Sequence, residues 1–210
     1  MNGRYDAGDK SEGQFQPGSE GRVLHNRLGI TDPDEMDRIE LDLLSDIQCR
    51  LYDEIEIDQI ITANDLRRWH RDWLGEVYTW AGSYRTVNIS KDDFLFLLAP
   101  KIESEMERYE RKQLARWTPC EALSDDELIR SLAECHVELV LIHPFRDGNG
   151  RIARVLATVM ALQAGHPPLD FTILDQEKRR YIAAIHAGME MNYEPMGSIF
   201  REILSNAKSG

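Results

Sequence analysis

The sequence predicts an all-α protein, a bundle of helices with one small β-hairpin. Two observations carry this. Apolar residues recur at helical spacing through most of the 210 residues. A single stretch, Tyr84-Arg85-Thr86-Val87-Asn88-Ile89, alternates and is β-branched, which favours a strand. Lys91-Asp92-Asp93 then makes a turn, and Phe94-Leu95-Phe96-Leu97 supplies the returning strand.

Residues 1–20 are rich in Gly, Ser, Asp, Glu and Gln and have almost nothing to bury, so they are expected to form a mobile tail. The folded domain is expected over 21–206, with 207–210 as a C-terminal tail. Asp32-Pro33-Asp34-Glu35 reads as a helix start with acidic residues in the first turn. Ile39, Leu41, Leu43, Leu44, Ile47 and Leu51 follow with helical spacing. A second helix is expected from Thr62 or Asn64 to about Trp80, burying Leu66, Trp69, Trp73, Leu74 and Val77 and ended by Ala81-Gly82-Ser83. Further helices are expected near 99–115, 125–141, 149–164, 175–190 and 194–206. Gly165-His166-Pro167-Pro168 separates two of them.

Bulk properties exclude several functions. A formal net charge of −12 leaves no basic footprint for gripping nucleic acid. No apolar run approaches the ~20 residues that span a bilayer. Cys49, Cys120 and Cys135 are odd in number and widely spaced, which is no disulfide framework. The N-terminus has no apolar signal region. A cytoplasmic protein is the simplest expectation, compatible with delivery to another cell by a secretion system.

The chemistry concentrates at His143-Pro144-Phe145-Arg146-Asp147-Gly148-Asn149-Gly150-Arg151, followed by Arg154. Pro144 disfavours helical backbone at His143, which sets His143 at the end of the preceding helix. A Gly-rich loop and a new helix N-terminus follow. The first N–H groups of a helix lack internal partners, and the dipole adds positive charge there, so a polyphosphate suits the site. Glycines let the backbone approach closely. Arg151 and Arg154 lie three apart on one face, and both can fork onto phosphate oxygens. Asp147 is a hard oxygen ligand suited to Mg²⁺ beside phosphates. His143 is the nearby group able to take a proton at neutral pH. Singly, each residue has a plainer role: a structural histidine, a turn glycine, a solvated arginine. Phe145 reads as a core plug in either case. It is the coincidence of nine specified residues that points to a site.

Two other readings fail. The loop is not a Walker P-loop, which needs four residues between its glycines and a following Lys-Ser/Thr. His136-Val137-Glu138 lacks the downstream Pro-Cys-x-x-Cys of zinc deaminases. His136 is therefore expected to pack on its helix, with no zinc.

His143 to Arg154 resembles, at every specified position, the Fic signature His-x-Phe-x-(Asp or Glu)-Gly-Asn-Gly-Arg-x-x-Arg. Val77 to Gly82 and Tyr84 to Ile89 are similar to the family's lead into its flap hairpin, and Tyr193 to Ile203 to its closing helix. About residues 16–205 are covered. The resemblance implies a Fic fold and a protein adenylyltransferase moving AMP from ATP to a Ser, Thr or Tyr hydroxyl. It implies that His143 is the base and that Asp147 holds Mg²⁺ or Mn²⁺. Gly148, Asn149 and Gly150 would form an anion hole, with Arg151 at the β-phosphate and Arg154 at the γ-phosphate. The flap, Thr86, Val87, Asn88, Ile89, Ser90 and Lys91, would clamp the target backbone by β-augmentation.

Fic proteins are commonly restrained by a helix bearing Ser/Thr-x-x-x-Glu-Gly/Asn, whose Glu pairs with the second motif arginine, here Arg154. Thr31 to Glu35 is followed by Met36, and Ser198 to Glu202 by Ile203, so neither matches. The entry Gln16 to Ile30 resembles Fic toxins held by a separate small antitoxin, which implies inhibition in trans. Competing readings are another Fic-type transfer (UMP, phosphocholine, or the phosphoryl transfer of the Doc branch, which departs from Gly-Asn-Gly) and a non-catalytic nucleotide-binding module. Tyr181 and Asn192 are candidates for the adenine pocket.

Overall fold

Local caps set the helices. The structure is a computed structural model that describes residues 11–91 and 94–207. Helix α1 (Pro33–Glu54) starts where Asp32 accepts the N–H groups of Asp34 and Glu35. Helix α2 (Ala63–Leu74) starts in a reciprocal capping box between Thr62 and Asp65. A short 3₁₀ turn, Ala99–Lys101, leads into α3 (Ile102–Tyr109), a π-helical turn (Glu110–Leu114) and α4 (Ala115–Trp117). Ser124 and Glu127 form a second capping box for α5 (Asp125–Ile142). Helices α6 (Asn149–Gln163), α7 (Thr172–Gln176), α8 (Lys178–Ala187) and α9 (Glu194–Ala207) complete the bundle. α5 is central, with α6 and α9 packed along it and α3 and α8 against it. No helix among the described residues is long and apolar enough to cross a membrane.

Three expectations about the helices need correction. α2 ends at Leu74 rather than near Trp80: the chain turns through Gly75, and Val77 instead accepts a main-chain bond from Arg27. The later turn needs Gly82, whose φ is +76° and where a Cβ would sit 2.6 Å from Arg71 Cβ and 2.9 Å from the Arg67 carbonyl. The helix expected over 175–190 is broken between α7 and α8. On α1 the buried stripe is Met36, Glu40, Leu44 and Ile47, so Leu41 is exposed despite its apolar character.

The hairpin is shorter than expected. Strands β1 (Ser90–Lys91) and β2 (Phe94–Leu95) pair antiparallel, and a Phe96 N–H to Ile89 carbonyl bond of 3.2 Å extends them by one rung. The Asp92-Asp93 turn lies outside the described residues. Tyr84–Ile89 keeps its alternation, with Arg85, Val87 and Ile89 buried and Thr86 and Asn88 exposed, but forms no ladder of its own. Its backbone is tied elsewhere, Arg85 N–H to the Pro144 carbonyl at 2.9 Å.

The expected tail also departs from prediction over residues 11–20. Glu12 accepts the Thr86 hydroxyl at 2.8 Å and its amide at 3.1 Å, and its own carbonyl accepts Arg146 Nε–H at 2.8 Å. Ser19 is fully buried and exchanges hydrogen bonds with Val23. Polar contacts hold this segment where apolar residues are scarce. Residues 1–10 and 208–210 lie outside the described residues.

Candidate active site

The end of α5 and the start of α6 frame the motif loop. His143 ends α5, as the Pro144 restriction anticipates, and does so in the left-handed conformation, φ +53° and ψ +58°. Its Nδ1–H donates to the Val140 carbonyl at 2.9 Å, which assigns the neutral tautomer with its lone pair on Nε2. Burial lowers its pKa from 6.5 to about 4. The Phe96 ring stacks on it with centroids 3.7 Å apart, so the flap roofs the imidazole.

Within the loop, Asn149 closes a ring with Phe145. Its Oδ1 accepts the Phe145 N–H and its Nδ2–H donates to the Phe145 carbonyl, both at 2.8 Å. The Asn149 side chain is thereby spent inward, so any anion contact it makes comes from its backbone N–H. Gly148, at φ +79°, leads into α6 with no side-chain cap, and a Cβ there would lie 2.6 Å from the Trp73 ring. Asp147 Oδ1 accepts the Gly148 N–H at 2.6 Å and stands 3.5 Å from Arg151.

The two motif arginines differ in setting. Arg151 bonds buried Glu40 at 2.7 Å and lies 4.5 Å over the Trp73 ring. Burial opposes its charge, but Asp147 and Glu40 outweigh this and raise its pKa. Arg154 forks onto the exposed Asp175 of α7 at 2.8 and 3.1 Å. Glu202 bonds Arg180, which Glu177 also holds, whereas the carboxylate on Arg154 is that of Asp175.

Several expected residues fall around this loop and several do not. The flap residues Thr86 to Lys91 lead from the Glu12 contact to β1, with Val87, Ile89 and Phe96 in a small cluster of their own. Tyr181 sits beside the site but its hydroxyl is bonded to His136 Nε2 at 2.9 Å. His136 is buried between that hydroxyl and the Ala153 carbonyl, and burial lowers its pKa to about 4. Asn192 is exposed and accepts the Glu194 N–H. Among the described residues no three His, Cys, Asp or Glu side chains cluster as a metal cage.

Three buried polar residues escaped the sequence reading. His70 of α2 stacks on Phe145 with centroids 4.0 Å apart, accepts the Gly82 N–H on Nδ1 at 2.8 Å and donates from Nε2 to the Asp147 carbonyl at 3.0 Å. Burial lowers its pKa to about 4, which keeps this donor–acceptor pattern at neutral pH. Arg85 donates to the carbonyls of His143 (2.8 Å), Val87 (2.7 Å) and Leu97 (2.5 Å), joining loop to flap. Glu40 holds Arg151. Each was signalled by a polar residue on an apolar face: His70 four after Leu66, Glu40 four after Met36, and Arg85 in phase with Val87 and Ile89.

Comparison with known proteins agrees with this arrangement. A family model described as the Fic/DOC family matches residues 60–161. The chain is 30% identical over 182 residues to the probable protein adenylyltransferase y4lH of Sinorhizobium fredii, covering 87% of this chain and 91% of that protein. It is 32% identical over 159 residues to the protein adenylyltransferase VbhT of Bartonella schoenbuchensis, covering 75% of this chain but 33% of VbhT, so the chain spans about a third of that relative. Among solved structures, the VirB-translocated effector BepC of Bartonella tribocorum, crystallised with AMPPNP, superposes with a TM-score of 0.70 at 24% identity, covering 86% of this chain and 91% of that one. At such identity the likeness speaks for the fold. With a relative matched over nine-tenths of its length and the signature loop in place, the chain belongs to the Fic/DOC family.

Proposed function

We propose that this protein transfers AMP from ATP to a Ser, Thr or Tyr hydroxyl of a target protein. The observation that carries the reading is the motif loop: a neutral histidine with its lone pair on Nε2, beside an uncapped helix N-terminus and two arginines. His143 Nε2 takes the hydroxyl proton, the target oxygen bonds the α-phosphorus, and the bond to the bridging oxygen breaks to release pyrophosphate. The N–H groups of Asn149 and Gly150, and that of Gly148 once Asp147 releases it, with Arg151 at the β-phosphate and Arg154 at the γ-phosphate, receive the charge. Positioning and charge neutralisation carry most of such a transfer.

Asp147 is the residue that would hold Mg²⁺ or Mn²⁺. One carboxylate beside phosphates fits Mg²⁺, which takes most of its shell from water and phosphate oxygens. The ion would neutralise phosphate charge. The flap would receive the target backbone: with Phe96 N–H paired to the Ile89 carbonyl, antiparallel alternation turns the Ser90 main-chain groups to the opposite edge.

Control in trans is the regulatory reading. Glu202 is engaged by Arg180, and Arg154 meets an exposed carboxylate that ATP or another chain's acid would displace. A marked rise in transfer by Glu202→Gly, at equal folded protein, would overturn it.

The test is transfer to proteins of a host lysate from ATP labelled at the α- or the γ-phosphate. Label should move from the α-position alone, vanish with excess chelator and in Asp147→Ala, and weaken in Ser90→Pro while nucleotide still binds. Transfer of the γ-label would make the reaction phosphoryl transfer. No transfer to any protein, with ATP bound, would leave a binding module.

A further inference from the structure

Glu40 belongs to α1, outside the stretch that the family model matches. It shares a buried stripe with Met36, Leu44 and Ile47 and is 2% exposed. A carboxylate there is unfavourable unless paired, and an apolar residue would serve packing as well or better. Its polar contacts converge on one side chain. Oε2 lies 2.7 Å from a terminal nitrogen of Arg151. Oε1 accepts the Tyr78 hydroxyl at 2.6 Å, which fixes the carboxylate. The Glu40 carbonyl accepts Trp73 Nε1–H at 2.8 Å, and that indole lies under the Arg151 guanidinium. Arg151 is therefore gripped on one edge and one face, while about a third of its side chain remains exposed at 34%. Its other terminal nitrogen stands 3.5 Å from Asp147 Oδ1, too far for a good charge-assisted hydrogen bond. Asp147 lies four residues earlier on the same side, so it is the carboxylate to which a released Arg151 would close.

We propose that Glu40 is a positioning residue for nucleotide binding: it aims Arg151 at the β-phosphate and keeps the guanidinium from closing on Asp147. The inference rests on the proposed β-phosphate role of Arg151. It makes α1 part of the active site, since the aim of a motif residue is set 111 positions away in sequence.

The experiment measures ADP and AMP affinities by calorimetry with Mg²⁺ for wild type, Glu40→Gln, Arg151→Ala and the double variant, with melting temperatures alongside. AMP lacks the β-phosphate, so it reports on the rest of the site. Glu40→Gln should weaken ADP about tenfold, the scale of one charge-assisted contact, and leave AMP within about twofold. The double variant should be no worse than Arg151→Ala. Wild-type ADP affinity in folded Glu40→Gln, equal loss of ADP and AMP, or additive losses in the double variant would overturn the proposal. If Arg151→Ala itself binds ADP normally, the β-phosphate role fails and the inference falls with it. Should Glu40→Gln not fold, Tyr78→Phe loosens the same carboxylate. It should cost ADP a few-fold and spare AMP, and wild-type ADP affinity or an equal loss of both would overturn the proposal.

Discussion

The motif loop and the flap face each other across the same imidazole, yet they are built differently. The loop is cross-tied from several directions: Asn149 closes it on Phe145, His70 braces Asp147, and Trp73 leaves room only for glycine at position 148. The flap has two-residue strands, a cluster of Val87, Ile89 and Phe96, and exposed Leu95 and Leu98. Arg85 joins the two through the His143, Val87 and Leu97 carbonyls. The difference assigns the tasks. Groups that, in the proposed transfer, would meet phosphate and proton to within a fraction of an ångström are held by buried partners. The segment that would receive a protein chain keeps few buried contacts, as regions that adapt on binding do.

The largest effect is expected on the loop side. His143→Ala should lower the transfer rate by ~10²–10⁴ while ADP still binds, measured by α-label transfer and calorimetry. Near-normal transfer would remove His143 as the base and with it the contrast between a chemical side and a docking side.

Asn149→Ala sharpens the contrast from the loop's interior. It leaves the buried Phe145 N–H and carbonyl without their partner, so stability should fall by about 1–3 kcal/mol in denaturant titration, and transfer should fall with it. A matching Asn88→Ala in the flap loses a single exposed bond to Ala99 and should change stability by less than about 1 kcal/mol. Equal losses at both sites would erase the distinction.

A third prediction uses the roof. Burial holds His143 at about 4, and a base must be neutral to accept a proton. The rate should therefore persist as pH falls from 8 to below 6 and decline only on nearing that lower value. Phe96→Ala uncovers the ring and should move the acid limb of kcat/KM up toward 6.5. Identical limbs in both proteins would mean that the flap does not set the environment of His143.

The smallest effect separates the two arginines. The Arg154–Asp175 pair is exposed on the Asp175 side, and such pairs contribute about 0–1 kcal/mol. Asp175→Asn should thus tighten ATP binding only a few-fold, with stability nearly unchanged. A rise of a hundredfold or more would mark Asp175 as a genuine competitor for the site.

How legible all this was depends on chain distance. The helices around the site follow from local signals: the starts at Asp32 and Thr62, the Pro144 restriction, and apolar residues at helical spacing. The nine motif residues were readable because contiguous residues build one loop. The braces were not, since His70, Arg85 and Glu40 act 58 to 111 residues away from their partners, and a lone polar residue on an apolar face does not name its partner. The β-branched run at 84–89 misled for a related reason. Its alternation between buried and exposed sides is real, but a buried arginine reaching three carbonyls took the place of a strand ladder. The short range of α2 was hidden likewise, because Val77 is buried beyond the helix end just as it would be within it.

The left-handed backbone of His143 has an evolutionary consequence. A residue other than glycine at φ +53° carries roughly 1–2 kcal/mol of steric cost, and helices that end for stability alone favour Gly or Asn in this conformation. Position 143 is thus contested. Selection for thermal endurance would pull it toward a comfortable terminus, whereas selection for the proposed transfer would keep an imidazole in an awkward one. A lineage that stopped needing the reaction would be free to give up this residue first, keeping a sound fold around an inert loop.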